Sequence, residues 1–238
     1  AEQLAIADLV SGGRVSAILG TGYRDEEFEM AGIEFRDRNR LLDDYLAVLR
    51  KAWTGEYFEW QGRRIRVRPT PATPGGPFLL LGGSSERTAR KAARMNLFFS
   101  PADSDEAVIA AYYDECAKLG FSGFAMAPPK ELAGFVHVTE DPERDWLRVF
   151  PYALHEAQSY ESWQRSGQTS AVQVHGASSI DDLRASGIYR VVTPEECVAM
   201  YQSVGALILH PLMGGIPPEL AAESLECFER KVLPVLRP

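Results

Sequence analysis

The chain has 238 residues, 45% hydrophobic and 24% charged, enough to bury a core as one large domain or two small ones without disulfides or structural metal. A net charge of −8 argues against nucleic acid or an anionic membrane as partner, and no apolar run approaches the roughly 20 residues of a membrane-spanning helix. Cys116, Cys197 and Cys227 form no CxxC pair and the N-terminus has no basic flank of a secretion signal, so a cytoplasmic, reducing location is expected.

At the N-terminus, AEQLAIADLVSGGR predicts a helix with Leu4, Ala5, Ala7 and Leu9 inward, stopped by Gly12 and Gly13. It starts at Ala1 with no capping residue, as a helix inside a longer chain would. Residues 14–20 (RVSAILG) have strand length, and the polar, poorly periodic residues 21–40 read as a long loop. Leu41, Leu42, Tyr45, Leu46, Leu49 and Trp53 have helical spacing, closed by Gly55. EYFEWQGRRIRVRP then predicts a hairpin turning at Gln61 and Gly62. FLLLGG reads as a strand, residues 85–95 as a helix, and NLFFSPA as another strand. SDEAVIAAYYDECAKLGF is a helix with Asp103 or Ser104 as cap and Gly120 as stop. GFVHVTE is a strand, and Asp141 and Pro142 open a further helix that Pro151 kinks or divides. Residues 166–189 are polar and irregular, the pattern of a mobile excursion. GALILHPLMGG predicts a final strand and PPELAAESLECFERKVLPVL a final amphipathic helix.

Apolar strands alternating with helices are the pattern of a parallel sheet covered on both faces. An open doubly wound sheet and a (β/α)8 barrel both have it; about five β–α units are visible, too few to close a barrel.

Gly82, Gly83, Ser84 and Ser85 stand where a strand gives way to a helix. Glycines admit close approach of an anion, helix-start N–H groups carry partial positive charge, and the serines cap or donate. A capped tight turn with no ligand explains the same residues. Gly20, Thr21 and Gly22 begin like a dinucleotide fingerprint, but no third glycine or immediate helix follows and YRDEEFE would repel a pyrophosphate. His210 ends the predicted last strand, where ligands gather in α/β folds, and is either an acid–base group or a hydrogen-bonded structural histidine. His137, mid-strand, is read as structural. No zinc-ligand spacing, GxSxG elbow or P-loop is present, so no metal is expected.

Several ordered segments resemble the bacterial luciferase-like monooxygenase family of flavin-dependent oxidoreductases. Asp8, Ser11, Gly13 and Arg14 fit D-x-x-S-x-G-R, and Gly20, Gly22, Tyr23, Glu27 and Phe28 fit G-x-G-[WY]-x-x-x-E-F. RLLDDYLAVLRKAWTGE, FEWQGRRIRVRP, LLLGGSSERTARKAARM and HPLMGGIPPELAAESLECFERKVLPVLR follow in the family's order. The resemblance implies a partial (β/α)8 TIM barrel, residues 1–238 forming a single domain that is the C-terminal two-thirds of a barrel, with about three β–α units ahead of it. It implies that Gly82, Gly83, Ser84 and Ser85 hold the phosphate of FMN or of a deazaflavin coenzyme. Thr21, Gly22 and Tyr23 would lie near the ring or substrate. His210, as catalytic group, and Met213 would face the pocket, with residues 166–189 a candidate lid. Expected partners are reduced flavin, a small organic substrate and a second copy of the chain. The alternative is a shortened, non-catalytic flavin-binding or partner-binding relative.

Overall fold

The computed structural model describes residues 1–164, 172 and 174–237. They divide into two compact units, Ala1–Pro101 with Asp105–Met126, and Ala102–Ser104 with Ala127–Pro238.

In the first unit, helix α1 (Glu2–Ser11) stops at Gly12, which takes the left-handed conformation. Its buried residues are Ala5 and Asp8, while Ala7 and Leu9 are exposed, so the inward face is rotated from the expected one. Asp8 is the cause: its carboxylate accepts from the Thr73 N–H at 2.7 Å and the Thr73 hydroxyl at 3.0 Å. Strand β1 (Ser16–Leu19) follows. Residues 21–40 are not a plain loop, for they form helix α2 (Asp25–Met30) and a 3-10 turn (Phe35–Asp37) before α3 (Arg38–Trp53). Asp25, Glu26 and Glu27 fill the first turn of α2, where the helix dipole favours anions, and Phe28 packs edge-on against Phe35 with centroids 5.1 Å apart. Strands β2 (Phe58–Trp60) and β3 (Arg63–Ile65) form the expected hairpin, with φ of 50° at Gln61 and 70° at Gly62.

The unit's centre is β4 (Phe78–Gly83), α4 (Glu86–Arg94), β5 (Phe98–Pro101) and α5 (Glu106–Leu119). The parallel sheet has the order β1-β4-β5, with Leu19 opposite Leu81 and Gly82 opposite Ser100. Leu79, Leu81 and Phe99 meet Leu46, Trp53, Ala89, Ala92, Val108 and Tyr112 in one apolar core. Alanines at 89, 92 and 93 let α4 lie close to its neighbours, and Asp105, not Asp103 or Ser104, caps α5 through the N–H groups of Ala107 and Val108.

In the second unit, β6 (Phe135–Val138) is buried throughout and pairs in parallel with β7 (Tyr189–Val192), Phe135 opposite Tyr189. Between them run α6 (Pro142–Trp163), which continues unbroken across Pro151, and α7 (Ile180–Ser186). After β7 come α8 (Pro194–Val204), α9 (Pro218–Cys227), a π-helical turn (Phe228–Val232) and α10 (Leu233–Leu236). The excursion expected over 166–189 is ordered at its end, where Ser179 and Asp182 form a capping box on α7 and β7 begins at Tyr189. Residues 165–171 and 173, on which part of the lid expectation falls, lie outside the described residues.

The strand expected in GALILHPLMGG is not formed: residues 206–210 join no ladder among the described residues. Leu207 and Leu209 pack on the cluster of Val136, Val138, Val192, Cys197 and Val232, whereas Ile208 and His210 are exposed. Side-chain burial on one face holds this segment in place of interstrand hydrogen bonds. The α/β class is thus seen as parallel sheets of three and two strands, and no closed barrel is formed among the described residues.

Candidate functional site

Parallel pairing of β1 with β4 places the residues after β1, Thr21, Gly22 and Tyr23, at the same sheet end as Gly82, Gly83, Ser84 and Ser85. Ser85 has extended dihedrals and is the N-cap of α4; its hydroxyl oxygen accepts from the Thr88 N–H at 3.3 Å and lies 3.0 Å from the Thr88 hydroxyl. The Ala89 N–H bonds back to the Ser85 carbonyl. Glu86 and Arg87, the first helical residues, have no carbonyl four places back inside the helix, so their N–H groups are the ones available to an anion. Ser85 is therefore committed to the cap, and Ser84 is the hydroxyl set before the helix.

The two glycines are required for different reasons. A Cβ on Gly82 would stand 3.2 Å from Ile18 Cγ2 on β1, while one on Gly83 would meet Thr88 Cγ2 at 2.5 Å. Gly22 has φ of 76°, and a Cβ there would press on the Phe28 ring at 2.9 Å. Glu27 pairs with Arg24 at 3.0 Å. The residues of G-x-G-Y-x-x-x-E-F thus brace the chain behind the strand end. The D-x-x-S-x-G-R residues do the same one turn earlier: the Ser11 hydroxyl donates to the Asp8 carbonyl, the Arg14 N–H donates to that hydroxyl, and Gly13 crosses Thr73 closely.

His210 and Met213 lie in the second unit. Met213 is fully buried in the cluster with Phe135, Trp146, Ala153, Tyr189 and Ile216, where it serves packing. His210 has φ of 45°, rare for a residue with a side chain, and its half-exposed ring sits with Nδ1 4.0 Å from Glu156 Oε1. Glu156 is 8% exposed. The Tyr189 hydroxyl lies 3.1 Å from both Glu156 Oε2, to which it donates, and the Val172 carbonyl. Burial pushes the Glu156 carboxyl up, opposed by the nearby His210, the Tyr189 hydroxyl and the Gly214 N–H. Burial likewise pushes the Tyr189 phenol far up, and the Glu156 charge adds to it. Glu156 and Tyr189 were not singled out from the sequence. The available signal was a carboxylate on the helical stripe of Trp146, Val149, Ala153 and Ala157, all buried on α6.

His137, the strand histidine, is 2% exposed and its Nε2 lies 3.5 Å from Asp145 Oδ2. Its place against a buried ion cluster agrees with a structural role. Among the described residues no group of three or more histidine, cysteine, aspartate and glutamate side chains is arranged to hold a metal. No helix there is long and apolar enough to cross a membrane.

Known proteins give these elements their context. Uncharacterised mycobacterial proteins, one from Mycobacterium tuberculosis, are 32% identical over 97 residues, an alignment covering 40% of this chain and 34% of theirs. The matched segment thus spans about a third of the length of these relatives. The FMNH2-dependent dimethylsulfone monooxygenase of Pseudomonas fluorescens is 23% identical over an alignment covering 100% of this chain and 69% of that one. Two solved structures share the fold. Monooxygenase RslO1 from Streptomyces bottropensis superposes with a TM-score of 0.65 at 18% identity, covering 99% of this chain and 73% of that one. An F420-dependent secondary alcohol dehydrogenase superposes with a TM-score of 0.61 at 14% identity, covering 100% and 74%. The sequence profile of the luciferase-like monooxygenase family matches residues 1–206, and the chain belongs to that family.

Proposed function

We propose that the chain is a flavin-dependent oxidoreductase domain whose β4–α4 turn binds the cofactor phosphate and which acts on a small organic substrate. The observation that carries this reading is the pairing of β1 with β4, which sets Thr21, Gly22 and Tyr23 at the sheet end where the Gly82-Gly83-Ser84-Ser85 turn opens α4. The donor set fits a phosphate: two helix-start N–H groups at Glu86 and Arg87, the Ser84 hydroxyl, and glycine backbone that admits close approach.

FMN is the first expectation and a deazaflavin the alternative, in line with the FMNH2-dependent relative and the F420-dependent structural neighbour. When bound, such a cofactor supplies hydride transfer or, for FMN, oxygen activation. The chain's own part is placement. Ser85 fixes the start of α4 so that the Glu86 and Arg87 N–H groups point along one axis at the anion, and the Phe28 brace behind Gly22 holds the neighbouring strand end still. His210 is the candidate for moving a proton, the Glu156 carboxylate standing beside its Nδ1. Assembly into a homodimer or larger oligomer belongs to the same reading.

Gly83→Asp is a poor probe of this turn, because its Cβ alone would displace Thr88. Ser84→Asp sets a carboxylate beside the phosphate without that clash. Titration of the purified chain with reduced FMN and with deazaflavin is expected to show saturable binding of one of them. Ser84→Asp should weaken it at least about tenfold, the size of one unfavourable charge contact, with an unchanged circular dichroism spectrum. Equal affinity in the variant would remove the turn from the site. Binding with no substrate turnover under any electron supply would favour the non-catalytic alternative.

A further inference from the structure

We propose that the second unit contains a binding site for a small organic ammonium ion, in the cavity between the C-terminal half of α6 and the Gly214-Gly215 turn. The cavity has a volume of about 330 Å³, room for a group of roughly ten heavy atoms, and Glu156, Ser159, Tyr160, Trp163 and the two glycines line it. Its polar centre is the Glu156 carboxylate, 8% exposed. Oε2 is held by the Tyr189 hydroxyl at 3.1 Å, so the carboxylate cannot swing out to water. Oε1 faces His210 Nδ1 across 4.0 Å, beyond hydrogen-bonding distance, and the Tyr189 hydroxyl and the Gly214 N–H fill two of the carboxylate's roughly four acceptor positions.

The walls match that centre. The Tyr160 and Trp163 rings stand 5.2 Å apart at 60°, offering aromatic surface next to a desolvated negative charge. That combination selects an organic cation: the rings attract it through their quadrupoles and shed water from it, and the carboxylate accepts its N–H. A buried carboxylate is costly alone, and an entering ammonium lowers that cost. The glycines shape the opening. A Cβ on Gly214 would meet the Tyr152 carbonyl oxygen at 2.2 Å, which pins the turn to α6, while beside Gly215 nothing lies within 4 Å. His155 also lines the cavity, and His210 stands beside the carboxylate.

The test needs no flavin and is independent of the phosphate-site reading. The full chain is titrated with phenethylammonium chloride, tryptophan fluorescence being the signal and Trp163→Phe identifying its source. Saturable binding is expected, weakened at least tenfold by Glu156→Gln and at least tenfold for the neutral isostere phenethyl alcohol. Ser159→Leu, which fills the cavity from a partly exposed helix position, should abolish binding while the fold persists, and covers the case in which Glu156→Gln does not fold. Absence of saturable binding, equal affinity for the alcohol, or full affinity in Ser159→Leu would each overturn the proposal.

Discussion

Asp145, on the first turn of α6, is 1% exposed yet charged, and its surroundings explain why it is tolerated. Burial pushes its carboxyl up, but hydrogen bonds from Arg144, Thr139 and Arg148 outweigh burial and hold it well below the usual carboxylate range. Arg144 donates to both oxygens at 2.9 and 3.0 Å, and Arg148 donates to Asp145 at 3.0 Å and to both oxygens of Glu223. A depressed acid stabilises the fold above its unfolded pKa of about 4, and that contribution is lost as pH falls toward the folded value. Asp145→Asn is expected to lower stability at pH 7 by about 1–2 kcal/mol, the loss of charge-assisted hydrogen bonds from partly exposed arginines, and to flatten the fall in stability below about pH 4. Urea unfolding at pH 7 and pH 3 checks both; equal midpoints for variant and parent at pH 7 would contradict this account. None of the cluster was legible beforehand, because its members lie on β6, α6 and α9 and meet only in the fold. The Gly82-to-Ser85 turn, by contrast, was legible because all its determinants are local.

At the scale of elements, the start of α4 is fitted to the end of β4 by one close contact. Gly83 leaves room for Thr88, whose hydroxyl and N–H both engage Ser85. Gly83→Ala is expected to destabilise the chain by about 2 kcal/mol, as overpacking does, and Thr88→Ala introduced with it should return most of that loss. Thermal unfolding of the two single variants and the double variant measures the coupling, and strict additivity would show that the contact is not the cause. Elements announced by periodicity (α3, α5, the Gln61-Gly62 hairpin) formed where expected. A cap alone announced α6 at Asp141 and Pro142, but α8 was overlooked although it starts at a Thr193–Glu196 capping box with Pro194 in its first turn, right after YRVV. The charged first turn of α2 was likewise read as loop. The last predicted strand failed for the opposite reason, since its alternating apolar pattern is satisfied by packing on one side with no neighbouring strand.

For the whole molecule, family membership was legible because loose motifs occurred in a fixed order. Those of the first two motifs brace strand ends. Which strands pair with which was not legible, because no local pattern specifies it. The three cysteines permit a molecule-wide check. Burial pushes the Cys197 thiol up to about 11 and raises Cys116 and Cys227 as well. A raised thiol carries little thiolate at neutral pH, so all three should alkylate with iodoacetamide far more slowly in the native chain than in urea. Cys227, only partly buried, should lead. Mass spectrometry of timed samples gives the order, and rapid native labelling of Cys116 or Cys197 would contradict the described cores.

Pro151 interrupts the α6 hydrogen-bond ladder at one rung, leaving the Leu147 carbonyl without its usual donor. Leu147 is 70% exposed, so solvent can occupy that rung at small cost. The ion cluster of Asp145 lies on one side of the break and the Glu156 cavity on the other. Amide exchange can accordingly begin at the C-terminal half of the helix without unzipping the N-terminal half, whose protection is set by a separate anchor. The two halves of this 22-residue helix are therefore expected to exchange their amide protons independently.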